Sequence, residues 1–532
     1  MKELIAHRTL LPAFERFAAK VGVHDGDYHA TFAEHADRTL RLRDALHREL
    51  GLGAGDRFAV LATNSHQYLE LYHAGFLGGG VINPLNLRLA GKELQFILAD
   101  SGTEVVFVDV AFAEHLDRNI ADVRTDLPLR KIVLIGDGDV PHDVRYEDLL
   151  AAGEPNIPEE TDETDPVVLM YTGGTTGRAK GVLLEQRAEV LNLYHIGLAV
   201  RFDEQRIYLH QTPMFHAASM GGVLGIPGTG GVSTFIPLFE PGAVMDNIAQ
   251  YSVDWTTMVP TMIAMVLNHP SFDPARLSTL RDLVYGASPM PLALLEQVRK
   301  TLPSVKLWQG YGMTECSSVL TFLTPADHDG ESARLRSAGR PALGIELSVR
   351  DHDGREVERG AQGEVWARGG NFMREYWHRP EETEAAFRDG WYHTGDAGYL
   401  DGDGYLYLVD RVTDMIVSGG ENVYSVEVEN AIASHPAVAQ VAVIGVPDPV
   451  WGEAVHAIVV LHPGQKCTAE EIKEQARQSV AGYKVPKTVE FRDEPLPLSG
   501  AMKPLKRELR REYLERHPPP ASGPGERTEP AR

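Results

Sequence analysis

Apolar positions in the first 160 residues switch between two periods. Over 31–50 (TFAEHADRTLRLRDALHREL), Ala36, Leu40, Leu42, Leu46 and Leu50 fall near helical spacing and predict a helix. DRFAVLA at 56–62 predicts a strand and 64–76 a helix, while EVVFVD at 104–109 and KIVLIGD at 131–137 are nearly continuous apolar runs. Runs of that kind, alternating with helices, predict a parallel sheet buried on both faces. The polar stretch GEPNIPEETDETDP (153–166) interrupts as a linker or long surface loop, and VVLMYT (167–172) then reads as a buried strand running into GGTTGRAKG. The alternation resumes to about residue 320, with LVYGAS (283–288) and VKLWQGYG (305–312) as strand-to-turn units.

Residues 335–410 are short, Gly-rich and strand-like (IELSVRD, GEVWARG, YLYLVDR), which predicts a β-rich subdomain. From Val412 the pattern is that of a small α/β unit: VYSVEVENAIASH and IKEQARQSVAGY as helices, AVIGVPD and AVHAIVVL as strands. The expected class is α/β. A large domain over 1–411, built of stacked α/β subdomains plus the β-rich one, precedes a small mobile α+β domain over 412–517. The Pro/Gly-rich tail 518–532 reads as disordered.

With 532 residues, 43% hydrophobic and 24% charged, the chain is long enough for several sizeable cores and has an ordinary globular balance. Its net charge of −24 argues against nucleic acid as a partner, because phosphate backbones need a cationic surface. Two cysteines, Cys316 and Cys467, are too few for a disulfide framework. No apolar leader precedes the charged N-terminus, so the expected location is cytoplasmic. The longest uncharged run, Ile207 to Phe239, carries six glycines and three prolines. It reads as buried loops and strands lining a pocket, not as a membrane span.

The sharpest local signal is Tyr171-Thr-Gly-Gly-Thr-Thr-Gly-Arg-Ala-Lys-Gly181. Glycines let backbone N–H groups turn toward an anion, threonines add donors and a lysine adds charge, which is phosphate-loop chemistry without a Walker A register. The loop resembles the YTSGTTGxPKG signature of the adenylate-forming superfamily, with Gly173 in place of serine and Ala179 in place of proline. Further elements follow in the family's order. Gln309-Gly-Tyr-Gly-Met-Thr-Glu315 resembles its YGxTE element, and Trp391-Tyr-His-Thr-Gly-Asp396 its TGD element. Asp410-Arg-Val-Thr-Asp414, Ser418-Gly-Gly-Glu421 and Pro495 to Arg510 complete the series.

The resemblance implies roles. ATP and AMP would be held by Thr172, Gly173, Gly174, Thr175, Thr176, Gly177, Lys180, Gly286, Ala287, Ser288, Gln309, Gly310, Tyr311, Asp396 and Arg411. Tyr311 would pack on adenine, and Asp396 and Arg411 would reach the ribose. Thr314 would meet the α-phosphate, and Glu315 would hold Mg²⁺ as a hard carboxylate oxygen ligand. Aligning back from the Glu-Leu-Arg at 508–510 puts Lys503 on the catalytic lysine, with Met502 where glycine is usual and Lys506 as the competing position. The turn Ser418, Gly419, Gly420, Glu421 would border the channel for coenzyme A, and Thr413 would be the hinge. Asp401-Gly-Asp-Gly404 reads as a hairpin turn, not a calcium loop.

Amino-acid-activating relatives place an aspartate after the phenylalanine of Pro213-Met-Phe215; here His216 follows, as in CoA synthetases. A pocket without that carboxylate suits an uncharged acyl tail. Its wall is expected from His216, Met220, Gly221, Gly222, Tyr285, Gly286, Trp308, Gly312 and Met313, the glycines 221, 222 and 286 leaving room. The implied activity is an ATP-dependent acyl-CoA synthetase acting through acyl-AMP on a small-molecule carboxylic acid. A medium- or long-chain fatty or bulky apolar acid is favoured, an aromatic acid of the coumarate or benzoate kind is the alternative, and loading of a carrier protein is less favoured. A non-catalytic nucleotide-binding relative is the third class, and a homodimer is left open.

Overall fold

The computed structural model describes residues 3–172, 179–329, 333–411, 416–418, 421–448, 451–499, 502 and 504–517. The chain divides into two compact units. Met1–Leu408 makes up nearly all of the first, and Val409–Ser499 most of the second.

In the larger unit the predicted helix runs Phe32–Arg48. Thr31 starts it as a capping box: its hydroxyl accepts from Glu34 N at 3.2 Å, while Glu34 Oε2 accepts from Thr31 N at 2.8 Å. The helix buries Leu40, Leu42, Ala45 and Leu46. The continuous apolar runs become strands Val105–Asp109 and Lys131–Ile135, parallel neighbours in an eight-stranded sheet. Its order is 375–376, 180–185, 166–172, 81–84, 57–61, 105–109, 131–135, 144–145. A nine-stranded sheet carries 306–311, 282–286, 255–258, 207–210, 232–235 and 21–25 side by side in parallel. The Gly-rich stretch folds as antiparallel strands 346–350, 363–368, 391–400 and 387–388, with 406–411 pairing 391–400. Asp401 turns that last hairpin by accepting from Asp403 N and Tyr405 N.

The uncharged run Ile207 to Phe239 is only partly as expected. Strands occupy 207–210 and 232–235, but short helical turns at 217–219, 221–225 and 226–228 fill the middle. Burial on all sides lets an apolar segment satisfy its backbone internally as helix. Among the described residues no helix is long and apolar enough to cross a membrane.

The smaller unit is a sheet of 421–423, 416–418, 452–461 and 438–448, with 488–492 parallel to 452–461. Helices Ser425–Ala433, Ala469–Arg477 and Lys506–Arg516 accompany it.

Candidate active site

In open α/β sheets ligands gather at the carboxyl ends of the strands, and the nucleotide motifs lie there. Strands Asp282–Gly286 and Lys306–Tyr311 end side by side, with Gly286 opposite Gly310. A Cβ on Gly286 would fall inside van der Waals contact of Gly310 O, so this close approach requires glycine. The next residue, Ala287, is left-handed at φ 64°, and partly exposed Ser288 follows. Such a non-glycine conformer costs roughly 1–2 kcal/mol and persists where the surroundings over-determine it.

Strand Pro166–Thr172 pairs antiparallel with Lys180–Glu185, which sets Thr172 opposite Lys180. Gly173, Gly174, Thr175, Thr176 and Gly177 lie outside the described residues. Lys180 forms an ion pair with Glu382, and its ammonium stands 5.0 Å from the centroid of the Tyr376 ring. The Tyr376 hydroxyl in turn donates to Glu315 Oε1 at 2.9 Å and lies 3.2 Å from the hydroxyl of Tyr392. Lysine, tyrosine and glutamate thus connect two motifs 135 positions apart. Thr314, buried, and Glu315, partly exposed, share a short turn at 314–316. Magnesium commonly takes one or two carboxylates plus substrate phosphates, and Glu315, with Oε1 pinned by Tyr376, fits that donor set. Among the described residues no cluster of three metal-ligating side chains exists.

The ribose candidates arrive from the β-rich subdomain. Tyr311 donates its hydroxyl to Asp396 Oδ2 at 2.6 Å, and Asp396 N donates to Thr394 Oγ1 at 3.1 Å. Burial, then the neighbouring Asp396 charge, pushes the Tyr311 phenol well above its ordinary range. Arg411 ends strand 406–411, and its side chain lies outside the description.

The acyl wall differs from expectation. His216 is half-buried, and its Nδ1 accepts from Ala218 N at 3.2 Å, which caps the next turn. Met220 is fully packed in the core instead of lining open space. Gly221 and Gly222 do not leave room, because the Ile196 side chain and the Tyr208 ring already occupy the space a Cβ would enter. Gly286 is closed in the same way by the neighbouring strand. Tyr285 turns into the core with its hydroxyl 2.8 Å from His328 Nε2. Trp308 donates Nε1–H to Asp282 Oδ1 at 2.8 Å, and Gln309, Gly312 and Met313 stay partly exposed. Glycine in a sequence records a missing side chain, not what fills the hollow.

In the smaller unit Ser418 is buried in strand 416–418 and is paired with Glu421 in the next strand. Gly419 and Gly420, the Glu421 side chain, the hinge candidate Thr413 and the catalytic candidate Lys503 lie outside the described residues. Lys506 is committed elsewhere: Nζ donates to Ser425 Oγ at 2.6 Å and pairs with Glu429 at 2.7 Å. Met502 takes φ 61°, the left-handed conformation that glycine adopts most easily.

Sequence reasoning did not find Tyr376, Tyr392 or Glu382. The run Glu375-Tyr-Trp377, aromatic and poor in charge, reads as an ordinary strand.

Comparison with known proteins agrees with this geometry. The family model for "AMP-binding enzyme" matches residues 12–377, and that for "AMP-binding enzyme C-terminal domain" matches 427–503. The chain is 39% identical over 492 residues to a feruloyl-CoA synthase of Amycolatopsis sp, covering 92% of this chain and 95% of that one. It is 34% identical over 524 residues to the medium/long-chain-fatty-acid–CoA ligase FadD8 of Mycobacterium tuberculosis, covering 95% and 90%. Its fold matches o-succinylbenzoate CoA synthetase (MenE) of Bacillus subtilis solved with its acyl-adenylate intermediate, at TM-score 0.82 and 30% identity over 94% of this chain and 97% of that one. The same protein solved with ATP and magnesium gives a TM-score of 0.81 at 30% identity, covering 94% and 98%. The chain belongs to the AMP-binding enzymes, in the acyl-CoA synthetase branch of the adenylate-forming superfamily, and is an AMP-forming, ATP-using acid–thiol ligase.

Proposed function

We propose that this ligase activates an apolar carboxylic acid with an aromatic body, of the ferulate kind, ahead of a long-chain fatty acid. The filled hollows beside Gly221 and Gly222 carry this reading. A long flexible tail needs continuous empty depth, whereas a flat ring needs only a shallow slot. The identity to a feruloyl-CoA synthase supports it.

In the first step the acid's carboxylate attacks the α-phosphate of ATP, forming acyl-AMP and releasing pyrophosphate. Such transfers are catalysed chiefly by positioning and charge neutralisation. Lys180 brings a cation to the phosphates and Thr314 a hydroxyl, while Glu315, its Oε1 held by Tyr376, would hold the magnesium that accompanies ATP. Asp396, aimed by Tyr311, accepts from the ribose. Magnesium, when bound, spreads phosphate charge. Lys503 serves this step, and the 418–421 turn serves the second, in which the thiolate of coenzyme A attacks the acyl carbon and AMP leaves. Thr413 is the pivot between the two steps.

A pyrophosphate-release screen over ferulate, coumarate, benzoate and straight-chain acids from eight to sixteen carbons tests the substrate class. Highest kcat/KM on a hydroxycinnamate is expected; highest kcat/KM on a long straight chain overturns the aromatic reading.

A further inference from the structure

Strands Asp282–Gly286 and Lys306–Tyr311 lie inside the nine-stranded sheet, and their two faces differ. On one face Leu283, Tyr285 and Leu307 are fully packed in a core. On the other, the alternate residues Val284, Trp308 and Gly310 stay partly exposed. Val284 and Trp308 pack there against an apolar cluster that includes Ile196 and Val200 of helix Gln186–Val200. Interior strands of parallel sheets are ordinarily covered on both faces, so partial exposure marks an opening on this one. Gly310 has room in it. A Cβ there would meet nothing closer than the Phe322 ring at 3.7 Å and Val284 Cγ1 at 4.0 Å, whereas the hollows beside Gly221 and Gly222 are filled. Gly310 stands near the carboxyl end of its strand, where ligands of open α/β sheets bind. Trp308 lies two residues behind it, about 7 Å deeper on the same face.

The Trp308 ring is fastened. Its Nε1–H donates to Asp282 Oδ1 at 2.8 Å, a diagonal reach onto the neighbouring strand, where Val284 is its direct partner. Asp282 is buried, and its Oδ2 accepts from Arg206 at 2.8 Å. The same guanidinium donates to Asp254 Oδ2 at 3.0 Å and to the carbonyl of Val200, the last residue of helix 186–200, at 2.6 Å. A second carboxylate and a helix end therefore steady the arginine that steadies Asp282. We propose that Trp308 is the floor of the acyl site and sets the length of acid admitted, and that Asp282 is the positioning residue that fixes this floor. An acid whose carboxylate meets the nucleotide at the strand ends can run its body back past Gly310 for about 7 Å before it meets the indole. That depth takes one aromatic ring and stops an extended fatty chain. The indole does not swing aside for a longer tail, because doing so would orphan a buried oxygen of Asp282.

The inference rests on the acid binding at these strand ends, and the test separates it from the aromatic reading. Pyrophosphate release by the full chain is measured with ferulate and with dodecanoate for the parent, Trp308→Ala, Asp282→Ala and Asp282→Asn. The KM for ATP is measured alongside, and thermal melts verify folding. Trp308→Ala removes the floor, so the ratio of kcat/KM for dodecanoate to that for ferulate should rise about tenfold or more, the scale on which an apolar pocket discriminates by size. Asp282→Ala frees the indole and should raise the ratio severalfold. Asparagine keeps an oxygen for the indole N–H, so Asp282→Asn should stay within about twofold of the parent, as should the KM for ATP in every variant. A folded Trp308→Ala variant with the parent's ratio overturns the floor. A folded Asp282→Ala variant with the parent's ratio, or an asparagine variant that moves as far as the alanine one, overturns the positioning role. If Asp282→Ala does not fold, Trp308→Phe decides: it loses only the N–H end of the ring, and a ratio equal to the parent's overturns that role. A KM for ATP that rises as much as the KM for acid would mark a merely structural effect and overturn both. A parent that itself prefers dodecanoate overturns the aromatic reading, and the floor is still judged by the change in ratio.

Discussion

The hydroxyl of Tyr311 donates to Asp396 Oδ2 at 2.6 Å, joining the end of a parallel strand to a hairpin of the β-rich subdomain across 85 positions of sequence. Asp396 is only 7% exposed, so its carboxylate has one orientation to offer a ligand. Asp396→Ala should raise the KM for ATP by on the order of 10- to 100-fold, since a hydrogen bond to a charged group contributes about 1.5–3 kcal/mol. Tyr311→Phe should raise it about tenfold. The double variant should be no worse than Asp396→Ala alone, because both changes remove one arrangement. Additive losses in the kinetic cycle would mean that the two residues act independently.

Two glycines of the site should respond differently to alanine. Gly395 has φ 69° with open space where a Cβ would go, so Gly395→Ala should cost about 1 kcal/mol, read by urea unfolding. Gly286→Ala drives a methyl into Gly310 O and must push the neighbouring strands apart; it should cost more than about 3 kcal/mol and abolish nucleotide binding. Equal costs would show that strand contact is not what Gly286 secures.

The two lysines of the C-terminal segment should separate by assay. Lys506, held by Ser425 and Glu429, is a structural tie of the smaller unit, and Lys506→Ala should lower its stability by about 1–3 kcal/mol with adenylation rate within a fewfold of the parent. Lys503→Ala should lower pyrophosphate release by on the order of 10²–10³ at unchanged melting temperature. The reverse pattern would move the catalytic role to Lys506.

Acid should loosen the larger unit before carboxylates protonate. Val223 O can only accept, so His73 gives it the Nε2 proton at 2.9 Å, and His73 Nδ1 then accepts from His35 Nε2 at 2.8 Å. Both rings are buried and neutral; burial pushes His73 down to about 4 and His35 well below its usual value. The unfolded chain takes these protons near pH 6.5, the folded chain does not. Stability is therefore complete above about 6.5 and falls as pH drops toward about 4, by roughly 3 kcal/mol for His73. Urea midpoints at pH 7.0, 5.5 and 4.5 should decline, and His73→Gln should flatten the decline. A midpoint unchanged from 7.0 to 4.5 would contradict the assignment.

What the sequence disclosed follows from what kind of signal each residue leaves. Val105–Val108 and Ile132–Ile135 are buried on both faces, so they stand out as unbroken apolar runs. The nucleotide motifs stand out because glycine, threonine, lysine and glutamate at fixed spacing have a chemical reason to recur. Tyr376 had no such context: it reaches Glu315 only after 375–376 pairs with 182–183 at the edge of the eight-stranded sheet. Gly221 and Gly222 misled, because Ile196 and Tyr208 fill their hollows from other elements.

The most direct test of the central claim is a product analysis by mass spectrometry. The full chain is given ferulate, ATP, magnesium and coenzyme A, with a parallel reaction lacking coenzyme A. The account predicts feruloyl-CoA, AMP and pyrophosphate in equal amounts in the first, and enzyme-bound feruloyl-AMP with one equivalent of pyrophosphate in the second. Formation of ADP and phosphate, or thioester without any acyl-AMP when coenzyme A is withheld and then added, would contradict it.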